Sequence, residues 1–130
     1  MTAKKRAFIS FDFEHDEDTK ILLDEQTRLP DSPFEITDAS VREPLTDDWG
    51  DKVRRRMDNI DVVIVLCGEH AFLSKSMAAE LKIAQEKNTP YFLLSAYAHR
   101  TCTKPTSAMS SDKLYEWTWD HLKTLIGGWR

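Results

Sequence analysis

The chain predicts an α/β fold, a Rossmann/flavodoxin-like three-layer sandwich around a central parallel sheet of about five strands. Two observations carry this. Short apolar runs alternate with segments of helical period from one end of the sequence to the other. One of the runs, Val62-Val63-Ile64-Val65-Leu66-Cys67, is apolar at every position, the pattern of a parallel strand covered by helices on both faces.

The elements follow in order. Arg6–Phe11 reads as the first strand, a short buried run of Ala7, Phe8, Ile9 and Phe11. The acidic loop Asp12–Asp18 leads into a helix from about Asp16 to Leu29, with its acidic residues in the first turn, where the helix dipole favours them. Ile21, Leu22, Gln26 and Leu29 lie near one face of that helix. Pro30–Pro33 is a turn, and Phe34–Thr37 a strand ending in Asp38. Val41–Leu45 reads as a loop containing Pro44. Thr46 or Asp47 is expected to cap the next helix, with Trp49, Val53 and Met57 inward and Arg54, Arg55 and Arg56 mainly outward. Asp61 opens the apolar strand. A helix from about Ser74 to Lys87 ends at Asn88–Pro90, and Tyr91–Ser95 is the fourth strand. Ala96–Asp112 lacks periodicity and reads as a long loop with room for one helical turn. Leu114–Trp117 is a short edge strand, and Thr118 caps a last helix, Trp119–Ile126, that stops at Gly127-Gly128.

One domain, residues 1–130, fits this length, and a chain of this size buries about two-thirds of its unfolded surface. Eighteen basic against 22 acidic residues leave a formal charge of −4, which gives no footprint for nucleic acid. No apolar run approaches the roughly 20 residues of a membrane span. The basic start runs straight into a strand, unlike a signal peptide. Cys67 and Cys102 have neither metal nor disulfide spacing, so a reducing cytoplasm is the expected location. His15, His70, His99 and His121 show no ligand spacing, and no metal site is expected.

Several α/β chemistries leave marks that are missing. There is no G-x-G-x-x-G after the first strand, no Walker A loop and no G-x-S-x-G elbow. Asp12, Glu14 and Asp16 would repel the phosphate of a flavodoxin-type cofactor. A response regulator needs an aspartate where this chain has Cys67-Gly68.

The helix after the apolar strand carries the informative carboxylate. With Met77 at zero and roughly 100° per residue, Leu81 and Ala84 lie beside it, and Glu80 falls about 60° to one side. Lys82 and Glu86 lie on the far face. A capping box would need serine at position 77, and a helical ion pair a basic residue at 76 or 84; the chain has Met77, Ser76 and Ala84. A solvated surface glutamate and a ligand-binding one both stay open on position alone. In an open α/β sheet the loops after the first and third strands meet near the switch point. They are expected to bring Ser10, Phe11, Asp12 and Phe13 near Gly68, Glu69, Ser74 and Glu80. Such a cleft suits a cationic or sugar-bearing planar ligand better than a bare phosphate.

These residues also carry a resemblance. Arg6-Ala-Phe-Ile-Ser-Phe-Asp12 resembles the opening strand and loop of TIR domains. Val62–Gly68 followed by Ser74…Glu80-Leu81 is similar to their third strand and glutamate-bearing helix. Thr37-Asp38-Ala39-Ser40 and Leu114-Tyr-Glu-Trp-Thr118 resemble the TIR-like branch that includes the Thoeris ThsB proteins. The resemblance implies a TIR-like fold and cleavage of the nicotinamide–ribose bond of NAD⁺, as substrate rather than cofactor. The products it implies are nicotinamide and ADP-ribose or a cyclic ADP-ribose isomer. It also implies an antiphage role, through a nucleotide signal to a partner effector, and self-association of the chain. It makes Glu80 the catalytic glutamate, with Ser10, Phe11 and Asp12 in the first pocket loop and Ser74 and Ser76 just before the glutamate. The chain departs from many enzymatic TIR domains in having Lys75-Ser-Met-Ala-Ala79, without tryptophan, ahead of Glu80. Two other functions are compatible with the same residues: a non-enzymatic interaction module, and an enzyme resembling nucleoside deoxyribosyltransferases.

Overall fold

The computed structural model describes residues 4–40 and 46–128; the expected Val41–Leu45 loop lies outside the described residues. Five strands form one sheet: β1 (Lys5–Phe11), β2 (Phe34–Ala39), β3 (Val62–Cys67), β4 (Tyr91–Ser95) and β5 (Leu114–Tyr115). Their order is β2-β1-β3-β4-β5 and every neighbouring pair is parallel. This is the flavodoxin-like order, with its switch point between β1 and β3. Three helices connect successive strands, α1 (Glu17–Thr27), α2 (Trp49–Met57) and α3 (Lys75–Glu86), and α4 (Trp119–Ile126) follows β5.

Alternation along the strands divides the core in two. Ala7, Ile9, Phe11, Val62, Ile64 and Leu66 point to the layer of α1 and α4, where they meet Leu23, Leu122, Leu125 and Ile126. Phe8, Val63, Val65 and Cys67 point the other way, against Trp49, Val53 and Met57 of α2 and Met77, Leu81 and Ala84 of α3. β3 is buried at all six positions because both layers cover it.

Side chains cap two of the helices, and the sequence predicts the one at Thr118. Ser74 caps α3, its Oγ accepting from the Met77 backbone N–H, and Thr118 caps α4 by accepting from that of His121. α2 differs: its N-cap is Asp48, and no side chain caps it. Thr46 instead donates its hydroxyl to Asp48.

α1 is turned away from the expected orientation. Its buried residues are Thr19 and Leu23, whereas Ile21, Leu22 and Leu29 are 48%, 53% and 42% exposed. The Thr19 hydroxyl donates to the Asp16 carbonyl, which satisfies it and lets it sit inward beside Leu23. The long segment after β4 contains no helix; hydrogen bonds pin it instead. Ser107 donates to the Ala78 carbonyl, Thr103 to that of Glu69, and Tyr91 to the Asp112 carboxylate.

β2 breaks strict alternation. Ala7 pairs with Ile36 but Phe8 pairs with Asp38, so Thr37 is an extra residue in the ladder. Ile36 and Ala39 both pack on the α1/α4 layer, although they are three residues apart. The bulge thus turns Asp38 and Ser40 to the side of α2 and α3. There they meet Arg56 and Glu80.

Candidate functional site

Glu80 sits one turn into α3 and is 2% exposed. Its Oε1 accepts two hydroxyls, from Ser10 at 2.7 Å and from Ser40 at 2.6 Å. Ser10 reaches it because Ile9 and Phe11 flank it on the opposite face of β1. Ser40 reaches it because of the bulge in β2. Ser40 Oγ also accepts from the Phe11 backbone N–H at 3.1 Å, and the Ser40 N–H donates to the Ile9 carbonyl. One serine hydroxyl therefore ties the ends of β1 and β2 to the carboxylate on α3.

Burial pushes the Glu80 carboxyl up to about 7, against the two serine hydroxyls and the nearby Arg56 charge, which pull it down. Among the described residues no cation bonds to it, and no donor reaches Oε2. Arg56 is engaged elsewhere: Nε and Nη2 grip Asp38 at 2.7 and 2.6 Å. Burial works to raise the Asp38 carboxyl, but the Arg56 guanidinium and the Ala39 backbone N–H together outweigh it and hold that group below its usual range. The side chain of Arg56 is thus folded against β2, whereas the sequence places it mainly outward with Arg54 and Arg55.

The remaining expected site residues lie elsewhere. Phe11 points to the α1/α4 layer and packs its ring 5.7 Å from that of Phe13. Asp12 organises the loop that follows β1. Its carboxylate accepts from the Glu14 N–H and from His15 Nδ1 at 2.7 Å, which raises the histidine's affinity for its proton. Gly68 lies against Asp16: a methyl group there would sit 2.2 Å from Asp16 Oδ2. Ser74 acts as the α3 cap, with Ser76 Oγ 3.3 Å away. Of the seven other site residues read from the sequence, only Ser10 hydrogen-bonds the Glu80 carboxylate. Ser40 also bonds it, and Asp38 and Arg56 act on it electrostatically; the sequence marks none of the three as a site residue. In the sequence, Thr37–Ser40 carries only the family resemblance.

A cavity of about 330 Å³ opens beside this cluster, lined by Phe11, Phe13, Lys20, Asp38 and Ser40 among others; Glu80 is not in its lining. A larger cavity of about 700 Å³ lies between α1 and the ends of β4 and β5, with Leu22, Tyr97 and Trp117 in its walls. It shares no lining residue with the Glu80 cluster, so size alone does not mark the site.

A second polar cluster occupies the switch point. Asp16 is 2% exposed, accepts from the Tyr97 hydroxyl at 2.8 Å and has no partner at Oδ2. Burial raises its carboxyl above the usual range. His15 and His70 stack 4.1 Å apart at its rim. Among the described residues no group of His, Cys, Asp and Glu could hold a metal ion.

Residues 8–101, more than two-thirds of the chain, match the family described as Thoeris protein ThsB, TIR-like domain. The chain belongs to this family. The match runs from β1 to just past β4 and includes Ser10, Ser40, Arg56 and Glu80; β5 and α4 lie beyond it. No curated protein matches the chain. The ThsB-type domain has no helix among its described residues long and apolar enough to cross a membrane.

Proposed function

We propose that this ThsB-type domain is an NAD⁺-processing enzyme with Glu80 as its catalytic carboxylate. The observation that carries the proposal is a buried ionisable group with hydrogen-bond donors but no bonded cation among the described residues. Burying a carboxylate costs free energy unless a charge or a full set of donors compensates. Perturbed groups of this kind concentrate where chemistry is done. A cationic substrate would supply the missing charge.

The chemistry is consistent with that environment. Cleavage of the nicotinamide–ribose bond develops positive charge on the ribose ring, as in glycoside hydrolysis. A carboxylate held by Ser10 and Ser40 can accept from ribose hydroxyls and stabilise that charge without reorganising. The electron pair of the breaking C–N bond leaves with nicotinamide, which departs neutral, so no general acid is required. Water then adds to the ribose carbon and releases a proton, giving ADP-ribose. Attack by a nucleophile of the same molecule gives a cyclic isomer. On this reading the product is a nucleotide signal in cytoplasmic antiphage defence, acting on an effector protein, and the chain works as a homo-oligomer.

A non-enzymatic interaction module is the second reading. It is favoured by the exposure of Ile21, Leu22, Phe72 and Leu73, and by the absence of Glu80 from the neighbouring cavity. Incubation of the purified domain with NAD⁺, followed by chromatography, separates the two. Release of nicotinamide that disappears in Glu80→Gln supports the enzyme; an equally active Glu80→Gln protein removes it.

A further inference from the structure

Ser40 meets Glu80 only because the end of β2 is held in an irregular path. The bulge interrupts the ladder, and although β1 bonds Ser40 through the Ile9 carbonyl and the Phe11 N–H, the path of Asp38 and Ala39 has a further restraint from outside the sheet. Arg56 on α2 provides it. Its Nε reaches Asp38 Oδ2 at 2.7 Å, while Nη2 reaches Asp38 Oδ1 at 2.6 Å and the Ala39 carbonyl at 2.7 Å. These bonds grip the two residues immediately before Ser40 with one planar group. The guanidinium also lies 5.7 Å from the Phe8 ring centroid, which fixes its height above the sheet.

We propose that Arg56 is a positioning residue for Glu80: its fork on Asp38 and Ala39 holds the end of β2 so that Ser40 Oγ donates to Glu80 Oε1. The consequence for turnover rests on the NAD⁺-cleaving reading; the consequence for Glu80 itself does not. Lysine would keep the charge of Arg56 but not its fork, since an ammonium cannot present parallel N–H groups in a plane. The charged groups acting on Glu80 are Arg56 from α2 and Asp38 from β2. Ser10 of β1 and Ser40 are its hydroxyl partners.

The test is a carbon-detected NMR titration of the Glu80 carboxyl, assigned by difference from Glu80→Gln. It compares the unaltered chain with Arg56→Lys, Arg56→Gln, Ser40→Ala and the Arg56→Lys/Ser40→Ala double variant. Each single substitution should raise the Glu80 midpoint by roughly half a unit or more. Ser40→Ala should add little once Arg56 has been replaced, because both act through one hydrogen bond. An unshifted midpoint in Arg56→Lys would mean that charge alone suffices and would overturn the proposal. Additive shifts would overturn it as well, since Arg56 would then not act through Ser40. If Arg56→Gln does not fold, the lysine variant carries the comparison. The titration needs no substrate, so coupling in a protein that leaves NAD⁺ intact would keep the positioning and remove the catalytic reading.

Discussion

Replacing Glu80 with glutamine should change how stability depends on pH. Glutamine has nearly the same shape, and its Oε1 can still accept from Ser10 and Ser40, so the substitution chiefly removes the ionisation. Burial raises the carboxyl from 4.5 to about 7 in the folded chain. At about 1.4 kcal/mol per unit, ionising Glu80 in the folded rather than the unfolded chain costs about 3 kcal/mol. The folded state then binds more protons than the unfolded state between those two values. The stability contributed by protonated Glu80 is fully present below 4.5 and is lost as pH rises to about 7. Urea unfolding of both proteins at about pH 4 and about pH 8 measures the effect, because the variant lacks this titration. Relative to the unaltered chain, Glu80→Gln should gain about 3 kcal/mol between the two conditions. Parallel profiles for the two proteins would show that Glu80 titrates normally, and would refute the reasoning from burial.

Other substitutions probe the surrounding structure. Leu23→Ala should cost about 2–5 kcal/mol and Leu22→Ala less than about 0.5 kcal/mol in urea unfolding, because α1 turns Leu23 to the core and Leu22 to solvent. Equal costs would contradict the orientation of α1. Gly68→Ala forces its new methyl group into the Asp16 carboxylate and should cost about 1–3 kcal/mol, with loss of the Asp16–Tyr97 contact visible as a changed tyrosine absorbance. Ser10→Ala and Ser40→Ala each remove one donor to Oε1. Each should lower stability at about pH 8 by about 1–3 kcal/mol, with a smaller loss at about pH 4, where Glu80 is protonated. A loss independent of pH would mean that the hydroxyls do not serve the ionised carboxylate.

Much of the sheet was legible because its strongest signals are local. The short, valine- and isoleucine-rich apolar run of β3 reads as a strand covered on both faces, and the Met77–Leu81–Ala84 stripe fixes the inward side of α3. The cap at Thr118 needs only a hydroxyl and the next turn of backbone. What stayed hidden depends on relations that single segments do not encode. Alternation counted from Phe34 puts Ser40 on the α1/α4 side, away from Glu80; the bulge at Thr37 reverses that, and nothing in Phe34–Ala39 announces it. Arg56 sits in a basic run that reads as a solvated face until Asp38 is known to stand opposite. Three exposed apolar residues outweigh Leu23 in the pattern of α1, yet Thr19 with its hydroxyl bonded locally is the better neighbour for the sheet. Glu80 was legible as an oddity, a carboxylate at the edge of an apolar stripe without a cap or helical partner. The resemblance gave it a role, and the structure supplied its two serine hydroxyls.

The most direct measurement is nicotinamide release from NAD⁺ by the purified domain across the neutral pH range, with Glu80→Gln alongside. If the ionised Glu80 carboxylate stabilises the ribose cation, release should rise with pH through about 7 and level off above it. It should be absent in Glu80→Gln at every pH. Release by Glu80→Gln equal to that of the unaltered chain would contradict the assignment of Glu80 as the catalytic carboxylate.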